Sequence, residues 1–240
     1  MLDAKFGAKV QKIYHIRKFF CIFLHISQKI CIFAANLIAM YSWEEPKQKP
    51  YAMYIHGFAS SPKSGTRASL ARALPEYEWL APEVTHEPFE SLAILNEWAR
   101  TFELEVIVGT SMGGMLALYV DAPKATKILL NPSLEMDRTL RKMGYGKHPY
   151  LQEREDGAKE FVIDEPMVQR FVAFKKEHAF IPGSRNIALF STDDELLGHE
   201  MSKRNAKAVE EAGWQVFWSN KFGHRCNDNA VKEIVKQLKS

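Results

Sequence analysis

The chain has 240 residues, 46% hydrophobic and 25% charged, enough to bury one sizeable core and in the size range of a single domain. Its formal charge of +3 conceals a division: residues 1–40 carry six basic side chains and one acid, a net of +5, which leaves 26 basic against 28 acidic residues, a net of −2, in the rest. The body therefore lacks the positive excess that nucleic-acid binding requires. Three cysteines, Cys21, Cys31 and Cys226, give neither a disulfide framework nor a zinc pattern, which points to a reducing, cytoplasmic setting.

Residues 1–40 form a basic and apolar N-terminal extension. Its apolar stretch from Phe19 to Met40 is interrupted by His25, Ser27, Gln28 and Lys29, and the unbroken runs 19–24 and 30–35 are six residues each. A lysine at the centre of a membrane helix costs about 2.5–3.5 kcal/mol, so a spanning helix is not expected. Two readings are left. The segment is a surface-lying helix, in which case membrane association is possible only through residues 1–40. Alternatively it lies outside the functional protein, with translation starting at Met40; this is favoured, because the first strand begins soon afterwards, at Tyr51. The folded domain is accordingly expected over 41–240.

From Tyr51 onward, apolar strands and amphipathic helices alternate. The strand 51–55 runs into His56-Gly57-Phe58 and then small, turn-forming residues up to Gly65. A helix over 63–74, a strand over 79–84 and a helix over 89–102 follow. Next comes Glu105-Val106-Ile107-Val108-Gly109-Thr110-Ser111-Met112-Gly113-Gly114, a buried-type strand leading through Gly-x-Ser-x-Gly into an apolar helix over 112–120 that stops at Asp121-Ala122-Pro123. That context is the sequence form of a nucleophile elbow, in which a serine on a sharp strand-to-helix turn is flanked by Gly109 and Gly113 because side chains there block the tight backbone. Ser111 is the expected nucleophile. An oxyanion hole in such an architecture takes one N–H from the residue after the nucleophile and one from the loop after the first strand, here Met112 and Phe58. His56, at a strand end before Gly57, is expected to brace that loop by hydrogen bonding, with proton transfer as the other possibility.

A strand over 127–131 ends in Asn131-Pro132, after which the alternation lapses until Arg185. The stretch 133–184 contains a polar run, 152–160, and an amphipathic helix starting near Glu165 with Met167, Val168, Phe171, Val172 and Phe174 at helical spacing. Its position is that of a small helical lid; the aromatic stripe is read as core packing, with substrate contact as the alternative. The strand 185–190 then leads to Asp193-Asp194-Glu195-Leu196-Leu197. A triad carboxylate has to orient the histidine from such a loop. Asp194 fits best, since Leu196-Leu197 carry the chain back into the core; Asp193 is the alternative, and Glu195 is expected to face solvent. After a helix over 198–213 and a strand over 214–218, Phe222-Gly223-His224 offers a histidine on a flexible loop before the last helix, 227–238, and His224 is the expected base. The chain order Ser111, Asp194, His224 is that of α/β-hydrolases.

The stretch Tyr54 to Ser64 (His-Gly-Phe-Ala-Ser-Ser-Pro-Lys at its centre), the elbow Val108 to Gly114, Leu130-Asn131-Pro132, Asp194-Glu195-Leu196-Leu197 and Gly223-His224 together resemble the small α/β-hydrolase-fold esterases of the YqiA/YcfP type. The likeness runs from about residue 51 to the C-terminus. Two features depart from it: such proteins usually have glycine where Asp193 stands, and nothing in them corresponds to residues 1–40. The resemblance implies a mostly parallel sheet with helices on both faces and Ser111, Asp194 and His224 as nucleophile, acid and base. The expected activity is hydrolysis of a small-molecule acyl ester or thioester through an acyl-enzyme, with no cofactor and no metal. An acyl-CoA thioesterase or acyltransferase on the same scaffold, and a non-catalytic hydrolase-like binding protein, are the alternatives.

Overall fold

Four strands of this chain are apolar on both faces, which is the signature of a parallel sheet covered by helices on each side. The computed structural model describes residues 49–240, so the expectations for residues 1–40 and for Met40 as the start lie outside the described residues. Six parallel strands form the main sheet: β1 (Tyr51–Ile55), β2 (Glu78–Leu80), β3 (Leu104–Thr110), β4 (Thr126–Leu130), β7 (Arg185–Ser191) and β8 (Gln215–Ser219), in the order β2-β1-β3-β4-β7-β8. Side chains alternate between two cores. Met53, Ile55, Ile107, Leu129, Ala188 and Phe190 face one, and Ala52, Tyr54, Val106, Val108, Ile128 and Leu189 face the other.

Helices α1 (Gly65–Ala73) and α7 (Asp228–Lys239) close the second core through Leu70, Ala230, Val231 and Ile234. The first core is closed by α2 (Pro88–Thr101), α3 (Met112–Ala117), α5 (Glu165–Glu177) and α6 (His199–Glu211), through Leu92, Leu95, Met115, Leu116, Phe171, Phe174, Ala206 and Val209. The α/β fold with helices on both faces is therefore as the sequence predicts. Four elements come out three residues shorter, two of them the helices expected over 63–74 and 198–213, which run Gly65–Ala73 and His199–Glu211. The strand predicted over 79–84 stops at Leu80, because this edge strand pairs with β1 only from Tyr51 to Met53 and Pro82 has no N–H to extend a ladder. The helix predicted to Val120 ends at Ala117 in tight turns, Leu118 N–H to Met115 O and Tyr119 N–H to Leu116 O.

The insertion between β4 and β7 differs from the purely helical one expected. It holds α4 (Met136–Met143), an antiparallel hairpin of β5 (Gly146–Pro149) and β6 (Glu160–Ile163), and α5. The polar run 152–160 fills most of the connection between the hairpin strands, its last residue Glu160 opening β6. Met167, Val168, Phe171 and Phe174 on α5 are buried in the first core, where Phe174 packs edge to face on Tyr119 and Phe89, so the stripe is packing. Among the described residues no helix is long and apolar enough to cross a membrane.

The strand order places the site. The chain leaves β1 toward the β2 edge and returns to place β3 on β1's other side, so the connections after β1 and β3 diverge. A crevice opens at their carboxyl ends, where open α/β sheets bind ligands.

Candidate active site

Ser111 sits at the turn from β3 to α3 with φ 57° and ψ −119°, a strained conformation for a residue with a side chain. The turn is held by Ser111 N–H donating to Leu130 O at 2.9 Å and by Met115 and Ser133 N–H groups donating to Ser111 O, both at 3.0 Å. The flanking glycines have a steric cause: a Cβ on Gly109 would lie 2.3 Å from Gly113 O, and one on Gly113 would lie 2.1 Å from Ile55 O. The elbow is thus wedged against the end of β1. Gly57 passes close above it, where a Cβ would stand 3.3 Å from Ser111 Cβ, so the peptides after β1 reach the serine. Met112 opens α3, and the first N–H groups of a helix have no intrahelical acceptor.

His56 is buried, 1% exposed. Its Nδ1–H donates to Gly57 O at 2.9 Å and its Nε2 accepts from Val84 N–H at 3.1 Å, so both ring nitrogens are engaged in fixing loops. Burial, with the Arg154 charge nearby, pushes its pKa down to about 4 and keeps it neutral.

On the other side of β4, His224 Nδ1–H donates to Asp194 Oδ2 at 2.8 Å, with both residues 5% exposed. The second carboxylate oxygen, Oδ1, accepts from Leu196 N–H at 3.0 Å and Leu197 N–H at 2.8 Å, which aims Oδ2 at the imidazole. Asp193 is exposed; its carboxylate accepts from Thr192 Oγ1 rather than from the histidine. Glu195 is exposed, as expected, and its Oε2 in addition accepts from His224 N–H at 2.8 Å.

Ser111 and His224 line one cavity of about 820 Å³, together with Phe58 and with residues of the insertion, among them Met136, Met143, Leu151 and Phe161. Cys226 also borders it, but burial pushes the thiol up to about 12, which removes the thiolate a competing nucleophile would need. His148 lies in the same wall with Nε2–H donating to Gly144 O at 2.8 Å. A residue of the site that sequence reasoning did not give a role is Asn131, fully buried at φ 42°. Its Nδ2 donates to Gly223 O at 2.9 Å and His224 O at 3.0 Å, while its Oδ1 accepts from Ser191 N–H at 2.7 Å. The signal was the Asn-Pro at a strand end, where asparagine is the side chain that tolerates a left-handed backbone.

The chain is similar in fold to Est1E from Butyrivibrio proteoclasticus (18% identity, TM-score 0.59, covering 81% of this chain and 88% of that one). It is likewise similar to the monoacylglycerol lipase of Paleococcus ferrophilus (13%, TM-score 0.59, 80% and 95%) and to the esterase domain of a Rhodothermus marinus protein (15%, TM-score 0.55, 81% and 87%). No curated protein matches it in sequence. Its fold is that of the α/β hydrolases among these neighbours, and residues 51–232, well over half of the chain and all of the main sheet, match the model of the Uncharacterised protein family (UPF0227), the family to which the chain belongs.

Proposed function

We propose that the chain is a serine hydrolase that cleaves carboxylic ester or thioester bonds, with Ser111 as nucleophile, His224 as base and Asp194 as its orienting acid. The observation that carries this reading is the pairing of His224 with Asp194 at 2.8 Å in the wall of the cavity onto which Ser111 is turned by a strained backbone. The fold neighbours named as esterases and as a monoacylglycerol lipase lend support at the level of scaffold.

In this mechanism His224 Nε2 takes the Ser111 proton as Oγ bonds to the acyl carbon, and the carbonyl oxygen, now anionic, is held by the Phe58 and Met112 N–H groups. Asp194 fixes the tautomer, with the proton on Nδ1, and stabilises the imidazolium. Collapse breaks the bond to the alcohol or thiol, which leaves with the proton returned by His224. Water, deprotonated by His224, then attacks the acyl carbon, and the bond to Ser111 Oγ breaks as His224 returns the proton to that oxygen, which frees the acid and restores the serine. The largely apolar wall made by Phe58, Met136, Met143, Leu151 and Phe161 suits an acyl chain.

The test is reaction of the protein with a fluorophosphonate probe, read by intact mass, beside Ser111→Ala and His224→Ala. One adduct on the wild type and none on either variant is expected. A folded wild type that takes no probe refutes the hydrolase reading and favours a hydrolase-shaped binding protein.

A further inference from the structure

Arg154 lies in the insertion, 4% exposed, a rare burial for a guanidinium. Its Nη1 donates to Ser60 O and to Val84 O, both at 3.0 Å, and pairs with the Glu83 carboxylate, and the group lies over the Tyr150 ring at 4.9 Å. Ser60 follows Phe58 by two residues, and Val84 supplies the N–H that His56 Nε2 accepts. One nitrogen of the insertion therefore holds both segments that flank His56. Two further contacts join the hairpin to the same loop: Leu151 N–H donates to Ala59 O at 2.7 Å, and Phe161 meets Phe58 edge to face with centroids 5.1 Å apart.

His56 carries this clamp to the reacting groups. A carbonyl only accepts, so the bond to Gly57 O puts the ring proton on Nδ1 and leaves Nε2 as the bare acceptor for Val84 N–H. Gly57 C=O and Phe58 N–H belong to one planar peptide, and holding the oxygen fixes the direction of the N–H. We propose that Arg154 is a positioning residue that couples the seating of the insertion to the orientation of the Gly57–Phe58 peptide, and so to the oxyanion hole; this rests on the hydrolase reading above. Without the guanidinium, Ser60 O and Val84 O lose their donor, and Glu83 Oε1, 3.7 Å from His56 Nε2, is left as an unpaired charge beside the ring that holds the peptide.

The experiment compares wild type, Arg154→Met, Arg154→Lys and the double variant Arg154→Met/Glu83→Gln. Each is assayed with a short soluble ester, with a boronic acid that forms a tetrahedral anionic adduct on serine, and with the unreactive amide analogue of the ester. Arg154→Met is expected to lose about 10- to 100-fold in kcat while KM moves by less than roughly threefold, since a misaimed donor acts on the transition state and not on ground-state binding. Boronate affinity should fall with kcat/KM, the amide's should stay within roughly twofold, and Arg154→Lys should recover part of the loss. The double variant, freed of the unpaired carboxylate, should melt as cooperatively as wild type and remain slow, which separates positioning from folding. A folded Arg154→Met or double variant with kcat within roughly threefold of wild type, or a loss confined to KM, overturns the inference alone. A wild type that neither turns over the ester nor takes a fluorophosphonate overturns it together with the hydrolase reading.

Discussion

Replacing Asn131 tests whether one buried amide holds the loop of His224 in place. Its side chain makes three hydrogen bonds, to Gly223 O, His224 O and Ser191 N–H, and its backbone is left-handed. Asn131→Ala removes three bonds of about 1 kcal/mol each and leaves alanine at a positive φ for about 1 kcal/mol more. A loss near 4 kcal/mol follows, and at roughly 2–4 °C per kcal/mol for a domain of this size the melting temperature should fall by about 8–16 °C. Asn131→Gly relieves the backbone and should be about 1 kcal/mol milder. Asn131→Asp keeps the acceptor for Ser191 N–H and the tolerance of φ, but sets a carboxylate oxygen against the carbonyls of Gly223 and His224; it should melt as low as the alanine variant and lose more ester turnover, since the repulsion acts on the segment bearing the imidazole. Thermal melts by circular dichroism and kcat on one short ester are the measurements. An Asn131→Asp protein that melts within a few degrees of wild type and keeps its kcat would refute the reasoning.

Gly113→Ala places a Cβ 2.1 Å from Ile55 O and 2.5 Å from His56 O, so β1 or the elbow must shift. Overpacking of this kind costs about 1–3 kcal/mol or more, and fluorophosphonate labelling of Ser111 should slow sharply, whereas Gly65→Ala, with nothing within 4 Å, should label like wild type. Glu195→Ala removes the acceptor of His224 N–H at an exposed position; turnover should fall about fivefold, the equivalent of about 1 kcal/mol, with the melting temperature nearly unchanged, and an unaltered kcat would show that the contact does not align the loop. Lys127 is fully buried, its Nζ donating to Val120 O and Ile181 O, both at 2.6 Å, and burial draws its pKa down to about 8 from 10.5. With the folded value below the unfolded one, the unfolded chain holds the extra proton between those pH values, so this group's contribution to stability is flat below pH 8 and rises with pH above it. Measured against Lys127→Met by urea denaturation, wild type should gain about 2 kcal/mol from pH 8 to pH 10; a difference independent of pH would remove Lys127 as the titrating group.

What could be read from the sequence was what depends on neighbours along the chain. Val106 to Gly114 carries most of its own explanation, since the apolar strand, the turn and both flanking glycines are contiguous and the crowding of Gly109 against Gly113 is local to the elbow, although Gly113 is also pressed against Ile55 of β1. Asp194 could be preferred over Asp193 because Leu196-Leu197 follow it, and their two N–H groups are the ones that fix Oδ1. Features that rest on distant partners were not legible. The hairpin of β5 and β6 is four residues a strand, mostly exposed, with Lys147 and His148 beside Pro149, and shows no period; Phe161 is buried by Phe58, Tyr150 and His148, which the sequence brings together from separate segments. The hydrogen bond from His224 N–H to the exposed Glu195 is of the same kind, since nothing along the chain sets that backbone against the acid.

The site is assembled from two halves, and the segment 130–133 sets the distance between them. The proposed nucleophile and oxyanion donors belong to the ends of β1 and β3, the proposed acid and base to the ends of β7 and β8, and β4 lies between. Leu130 O accepts from Ser111 N–H and Ser133 N–H donates to Ser111 O, so this segment grips the elbow from one side. Asn131 N–H donates to Leu189 O, its side chain holds the loop of His224, and Pro132 O accepts from Asn205 on α6, so it grips the acid–base half from the other. A change in the backbone of the segment 130–133 therefore alters the separation of serine and histidine without replacing either. Since a misplacement of about 1 Å costs on the order of 100-fold in rate, activity should be more sensitive than stability to substitution of Pro132, while substitutions at Asn131, which also lose its buried hydrogen bonds, should lower both.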